Sequence, residues 1–211
     1  MIFKDRQYAG SLLVKKLRGY QGTNAVVLGL ARGGVVVAKT VAEALKLSFD
    51  VIVVKKVTSP YSSEFAIGAL APDGVRVIHW PSAHRVGVDE DYLNRQERIL
   101  SEHIRQKLIA YRKGRKPLQV KEKTVIVIDD GVATGATLEA AIAWLKKKKA
   151  KKIVAAVPLA PPETVAKLKP EVDELVVLTT PENLNAVGQF YKEFPQVEDS
   201  QVIALVAGRG T

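Results

Sequence analysis

Residues 125–137 read Val-Ile-Val-Ile-Asp-Asp-Gly-Val-Ala-Thr-Gly-Ala-Thr. A run of four β-branched apolar residues suits a strand buried on both faces, as in a parallel sheet. Two adjacent carboxylates, Asp129 and Asp130, then stand at the strand's carboxyl end. A short turn of Gly, Ala and Thr follows, and a helical pattern begins at Ala136. The backbone N–H groups of such a turn, ahead of a helix N-terminus, can hold a phosphate. Two carboxylates beside a phosphate cradle suit a ligand with both hydroxyls and phosphate, such as a ribose phosphate.

The rest of the chain repeats the alternation of strand and helix. Helical patterns are predicted over 5–19, 34–47, 136–149 and near 198–207, with a short helix opening at Pro161-Pro162-Glu163. Apolar strands are predicted at 24–30, 51–54, 124–129, 153–157 and 174–178. Segments 65–70 and 75–79 flank Pro72-Asp73-Gly74 and read as a hairpin. Residues 89–113 form one long amphipathic helix, read as a packing or dimer element, although its basic residues also suit a lid. The expected fold is α/β: a mainly parallel sheet with helices on both faces. Ligands then sit at the carboxyl ends of the strands, near a topological switch point. Three loops, 31–34, 55–64 and 129–137, are expected at that edge.

Composition narrows the function classes. The 211 residues fit one domain, and 47% hydrophobic content supplies a sizeable core. Cysteine is absent, which excludes disulfides and thiolate chemistry. No apolar run reaches the roughly 18–20 residues of a membrane span. The first residues, Met1-Ile2-Phe3-Lys4-Asp5-Arg6, lack the apolar core of a signal peptide, so a cytoplasmic location is expected. The net charge is +10, with much of it in Lys146–Lys149, Lys151 and Lys152. Those lysines fall at a predicted helix end, where cations suit the helix dipole. Without interleaved aromatics or a binding motif, they argue against nucleic acid as the partner. His79, His84 and His103 show no metal-ligand spacing.

Asp129 and Asp130 can accept hydrogen bonds from ribose hydroxyls or hold a hydrated Mg²⁺ through water. Gly131, Val132, Ala133, Thr134, Gly135, Ala136 and Thr137 form the phosphate-sized loop, with donors expected from the backbone of 133–137 and from both Thr hydroxyls. Three residues separate the two glycines, and Ala136 stands where a Walker loop would carry Lys. Arg32-Gly33-Gly34 is a second anion candidate: a fixed cation beside backbone that can approach closely. Lys56 could neutralise an anion in the same mouth, and Glu64 is a candidate acid/base group or structural cap.

The 125–137 stretch resembles the phosphoribosyl-diphosphate (PRPP) motif of type I phosphoribosyltransferases over all thirteen positions. More widely, the chain resembles an uncharacterised branch of that family, through Phe3-x-Asp5-Arg6, Ala31-Arg32-Gly33-Gly34-Val35, Glu64-x-Ala66-Ile67-Gly68-Ala69 and Tyr191-x-x-Phe194. The resemblance implies a single domain over 1–211, with a core about 21–180, a hood from the terminal segments and a helical insertion about 86–116. It implies a Mg²⁺-dependent transferase of the nucleotide-salvage kind that moves the phosphoribosyl group from PRPP to a nitrogen acceptor, nucleobase-like in kind, and releases diphosphate. Asp129 and Asp130 would contact the ribose hydroxyls. Residues 133–137 would hold the 5′-phosphate, and Arg32, Gly33, Gly34 and Lys56 would handle the diphosphate. Relatives acting on hypoxanthine and guanine carry an acid where this chain has Ala133, which disfavours a 6-oxopurine acceptor. Trp80, Phe190, Tyr191 and Phe194 are candidates to stack on a planar acceptor. A homo-oligomer is compatible with this reading. The alternative is a PRPP-binding regulator that keeps the pocket without turnover.

Overall fold

The apolar runs become the strands of one parallel sheet. A computed structural model describes residues 1–208, the side chain of Glu64 excepted. The candidate acid/base role of Glu64 therefore lies outside the described part. In chain order the elements are α1 (Arg6–Lys16), β1 (Val26–Leu30), α2 (Gly33–Leu45), β2 (Ser48–Ile52), β3 (Lys55–Ser59), β4 (Ser62–Ala71), β5 (Val75–Ile78), α3 (Trp80–Arg85), α4 (Glu90–Arg112), β6 (Thr124–Ile128), α5 (Ala136–Lys147), β7 (Lys152–Leu159), α6 (Pro162–Leu168), β8 (Glu174–Thr179) and α7 (Asp199–Ala207). Short 3₁₀ turns join several of them.

Strands β2, β1, β6, β7 and β8 pair in that order, every pair parallel. Successive side chains of β6 serve opposite faces. Ile126 and Ile128 pack with Leu13, Val35, Leu45 and Val202 of α1, α2 and α7. Val125 and Val127 pack with Leu138, Ile142 and Leu145 of α5 and Leu168 of α6. A sheet covered on both faces needs apolar residues at every strand position, which is why the runs do not alternate. The expected α/β fold is the one observed.

The strand order fixes where a ligand can sit. From β1 the chain crosses to β2 on one side, and β6 later pairs on the other. The loops leaving β1 and β6 therefore diverge at the centre of the sheet and leave a crevice between them.

The segment 55–64 differs from the expected loop. Residues 55–59 and 62–64 belong to strands, in an antiparallel three-stranded arm ordered β3-β4-β5. Two register shifts, at Val57/Thr58 and Thr58/Ser59, break the simple alternation. One of the two inward positions is Ser59, so the period-2 apolar signal is lost. Strand β2 also begins earlier than expected, because it carries the buried Asp50. That carboxylate accepts from Arg112 Nε at 3.2 Å and from the Leu118 N–H at 3.0 Å. Arg112 ends α4, which is one unbroken helix capped by Asp89. Leu93, Ile104 and Tyr111 bury one face of α4, and the Tyr92 hydroxyl donates to the Thr58 carbonyl at 2.8 Å.

The terminal segments meet over the carboxyl edge of the sheet. The Phe3 N–H donates to the Phe190 carbonyl at 2.8 Å, and the Lys192 and Glu193 N–H groups return to Phe3 and Lys4 at 2.9 Å. Phe3, Ala9, Leu159 and Tyr191 form a small core of their own beneath this cover.

Candidate active site

The two loops at the crevice touch. Gly34, at the start of α2, is so close to the end of β6 that a Cβ there would lie 2.7 Å from the Ile128 carbonyl oxygen and 2.9 Å from Asp129 Oδ1. A Cβ on Gly33 would overlap the Asp130 carboxylate. Glycine is required at both positions by the approach of the acidic pair. Arg32 precedes them, and the Ala31–Arg32 peptide is cis. The structure thus brings Arg32, Gly33 and Gly34 together with Asp129 and Asp130, which lie about one hundred residues later in the chain.

Beyond the carboxylates the chain turns under the hood, where Gly131 lies beneath Val187. The Val132 N–H donates to the Leu159 carbonyl at 2.9 Å. The Ala133 carbonyl accepts from the buried Thr164 hydroxyl at 2.5 Å, which braces the loop from behind. Thr134 is exposed at the tip. Gly135 takes a left-handed conformation (φ +85°) and leaves α5 without a side-chain cap. The first turn of α5, from Ala136 and Thr137, therefore presents backbone donors and the positive end of a 12-residue helix.

The two carboxylates have different surroundings. Asp130 Oδ2 accepts from Arg6 Nε at 2.7 Å, and its carbonyl accepts from the Tyr191 hydroxyl at 2.6 Å. Asp129 Oδ1 accepts the Asp130 N–H at 2.9 Å. Burial first, and then the negative charge of Asp130, hold Asp129 well above the ordinary carboxylate range. Burial and Asp130 also push the Tyr191 phenol up, so it remains a donor.

Arg32 reaches Glu198 Oε2 at 3.7 Å and Asp199 Oδ1 at 4.0 Å, and is itself partly exposed. Asp199 is held below the usual carboxylate range by Lys107 and by the Tyr111 hydroxyl, the latter at 2.7 Å. Lys56 is exposed at the wall of a cavity of about 720 Å³, shared with Thr134 and Ala136, between the arm and α5. Lys56 thus shares a wall with the loop after β6.

Phe190, Tyr191 and Phe194 belong to the hood packing. The Tyr191 ring lies 5.3 Å from Phe3 and 4.8 Å from Phe194. Trp80 stacks on His84 in α3, and His79 Nδ1 is 2.7 Å from the Ser82 hydroxyl. The lysines at and beyond the end of α5 pair with nearby acids: Lys146 meets Glu171 at 2.7 Å, Lys148 meets Asp73 at 2.9 Å and Lys152 meets Glu174 at 3.0 Å.

Sequence reasoning assigned no role to Arg6, Glu198 or Asp199. Arg6 carried a signal: it is a cation at the first position of a helix, where the dipole disfavours it. Such a residue needs a carboxylate from elsewhere.

Among the described residues, no group of three or more His, Asp or Glu side chains is arranged to hold a metal ion. The crevice offers two carboxylates, one already giving an oxygen to Arg6. That donor set fits Mg²⁺ that keeps several waters and is shared with substrate phosphates, not an all-protein cage. No helix among the described residues is long and apolar enough to cross a membrane.

The parallel sheet, with a glycine loop pressed against a carboxylate pair at its carboxyl edge, defines an α/β protein with its crevice between β1 and β6. The chain belongs to the phosphoribosyl transferase domain family, whose model matches residues 6–191. It is 38% identical over 205 residues to a Mycobacterium tuberculosis (strain ATCC 25618 / H37Rv) protein, Rv0571c, named provisionally as a phosphoribosyl transferase. That match covers 97% of this chain and 46% of the relative, so the chain spans about half the length of the curated relatives it matches. Among solved structures, TT1426 from Thermus thermophilus is 40% identical, with a TM-score of 0.84 and full coverage of both chains. A hypoxanthine phosphoribosyltransferase from Staphylococcus aureus shares the fold at 15% identity and a TM-score of 0.51, over 85% of this chain and 77% of its own.

Proposed function

We propose that the protein is a Mg²⁺-dependent phosphoribosyltransferase that moves the 5-phosphoribosyl group of PRPP to a ring nitrogen of a nucleobase-like acceptor and releases diphosphate. The observation that carries this reading is the contact of Gly33 and Gly34 with Asp130 and Asp129. It sets the Arg32-Gly33-Gly34 loop against the acid pair, and the turn into α5 follows the pair directly in the chain, which supports assigning the three subsites of PRPP to this edge of the sheet.

In this reading the 5′-phosphate lies on the loop 133–137, against the first N–H groups of α5. Asp129 and Asp130 accept hydrogen bonds from the ribose 2′- and 3′-hydroxyls. The 1-diphosphate lies on the backbone of Gly33 and Gly34, within reach of Arg32. Mg²⁺, when bound, supplies positive charge to the diphosphate oxygens. The acceptor nitrogen donates its lone pair to C1 as the C1–O bond breaks, and the bonding electrons leave with diphosphate. The configuration at C1 inverts, and the nitrogen gives up its proton to water or to the departing diphosphate. Positive charge grows on the sugar in the transition state, beside the acid pair. Catalysis then rests on positioning and on charge stabilisation of the leaving group. The hood shields the crevice from water, which would otherwise hydrolyse the donor.

The test is a screen of nucleobases and amines with PRPP and Mg²⁺, read as diphosphate release. Release that depends on one acceptor class supports the reading and names the acceptor. PRPP binding with no release for any acceptor would favour the regulator instead.

A further inference from the structure

Arg6 is nearly buried, with 8% of its surface exposed, although it is a fixed cation at the first turn of α1. A buried guanidinium persists only where its charge and donors are met. Arg6 Nε donates to Asp130 Oδ2 at 2.7 Å, and one terminal nitrogen donates to the Pro195 carbonyl at 2.7 Å. The guanidinium face lies 3.7 Å from the centroid of the Phe194 ring, within cation–π range. Three segments thus converge on one side chain: the start of α1, the acidic turn after β6 and the hood.

The same point touches the crevice. A Cβ on Gly33 would lie 3.0 Å from Arg6 Nε and would overlap the Asp130 carboxylate. No side chain therefore separates Arg6, Asp130 and the glycine loop. The hood also holds the backbone of Asp130 through the Tyr191 hydroxyl. The orientation of the Asp130 carboxylate depends on these contacts.

We propose that Arg6 is a positioning residue for ribose recognition: it fixes one oxygen of Asp130, leaves the other for a sugar hydroxyl, and makes that arrangement depend on the seated hood. This rests on the assignment of the crevice as a PRPP site. The consequence is specificity. A carboxylate held in one orientation by a charged hydrogen bond accepts well from a hydroxyl at one place and is left unpaired by a sugar that lacks it.

The experiment measures binding of ribose 5-phosphate, 2-deoxyribose 5-phosphate and diphosphate to the wild type, Arg6→Met, Arg6→Lys and Phe194→Leu, each at a temperature where it is folded. Arg6→Met should weaken ribose 5-phosphate at least about tenfold, the scale of one charged hydrogen bond, and erase its preference over the deoxy sugar. Diphosphate, which has no hydroxyls for the acid pair, should bind as before. Arg6→Lys should recover part of the loss. Should Arg6→Met not fold, Phe194→Leu carries the test, because it frees one face of the guanidinium and should narrow the same sugar preference. Equal losses for all three ligands, or unchanged sugar preference in the folded variants, would overturn the proposal and leave the PRPP reading standing. Failure of the wild type to bind both ribose 5-phosphate and diphosphate would overturn both.

Discussion

The loop after β1 is closed in by protein, and the loop after β6 is open at its tip. Gly34 is buried against the Asp129 backbone, and Gly33 is pressed against the Asp130 carboxylate. Thr134, by contrast, is exposed, and the loop around it is tied down mainly by Thr164 behind Ala133. In the proposed reading, the first loop would hold its anion by close backbone approach, at the cost of tolerating no side chain. The second would hold it at the end of a helix, which tolerates change at the tip. A ligand that spans both would be held rigidly at its diphosphate and more loosely at its 5′-phosphate.

Gly34→Ala should have the largest effect. Its Cβ would meet the Ile128 carbonyl and the Asp129 side chain at 2.7–2.9 Å, and overpacking of that kind costs roughly 1–3 kcal/mol. Thermal denaturation of this variant beside Thr134→Ala, expected within about 0.5 kcal/mol of wild type, tests the contrast directly. Equal costs at the two sites would break it.

Arg32→Ala should come next. Its pairs with Glu198 and Asp199 are long and partly exposed, so stability should change by less than about 1 kcal/mol. Diphosphate affinity should fall at least about tenfold if the guanidinium turns to the ligand. A variant that loses stability while binding diphosphate normally would make this loop structural.

Asp129→Asn should have a smaller effect, in the direction of greater stability. Its folded-state titration lies well above the unfolded value of 3.8, because burial and Asp130 oppose its charge. Stability linked to this group is therefore complete below that value and is lost as pH rises towards the folded one. The variant should match wild type in acid and melt higher near neutral pH, with the gap widening as pH rises. A gap that widens towards acid would contradict the assignment of charge within the pair.

The sheet was legible because its strands are buried on both faces and nothing in them alternates. The acidic turn was legible because charge after an apolar run marks a strand's carboxyl end. Of the arm, the hairpin of β4 and β5 was legible from Pro72-Asp73-Gly74, but β3 was not, since Ser59 and two register shifts hide its inward positions. Nor was the division of labour within the acid pair. Asp129 and Asp130 are adjacent in sequence, and only the convergence of Arg6, Tyr191 and the hood on Asp130 separates them. Local pattern reports strands and turns, whereas contacts between residues more than one hundred positions apart decide which charges meet.

The central claim is that the crevice between β1 and β6 binds PRPP through the acid pair. Calorimetric titration of PRPP with Mg²⁺ into the wild type and the Asp129→Asn/Asp130→Asn double variant tests it most directly, with circular dichroism confirming that both are folded. Saturable binding to the wild type and severe loss in the double variant are expected. Unchanged PRPP affinity in a folded double variant would contradict it.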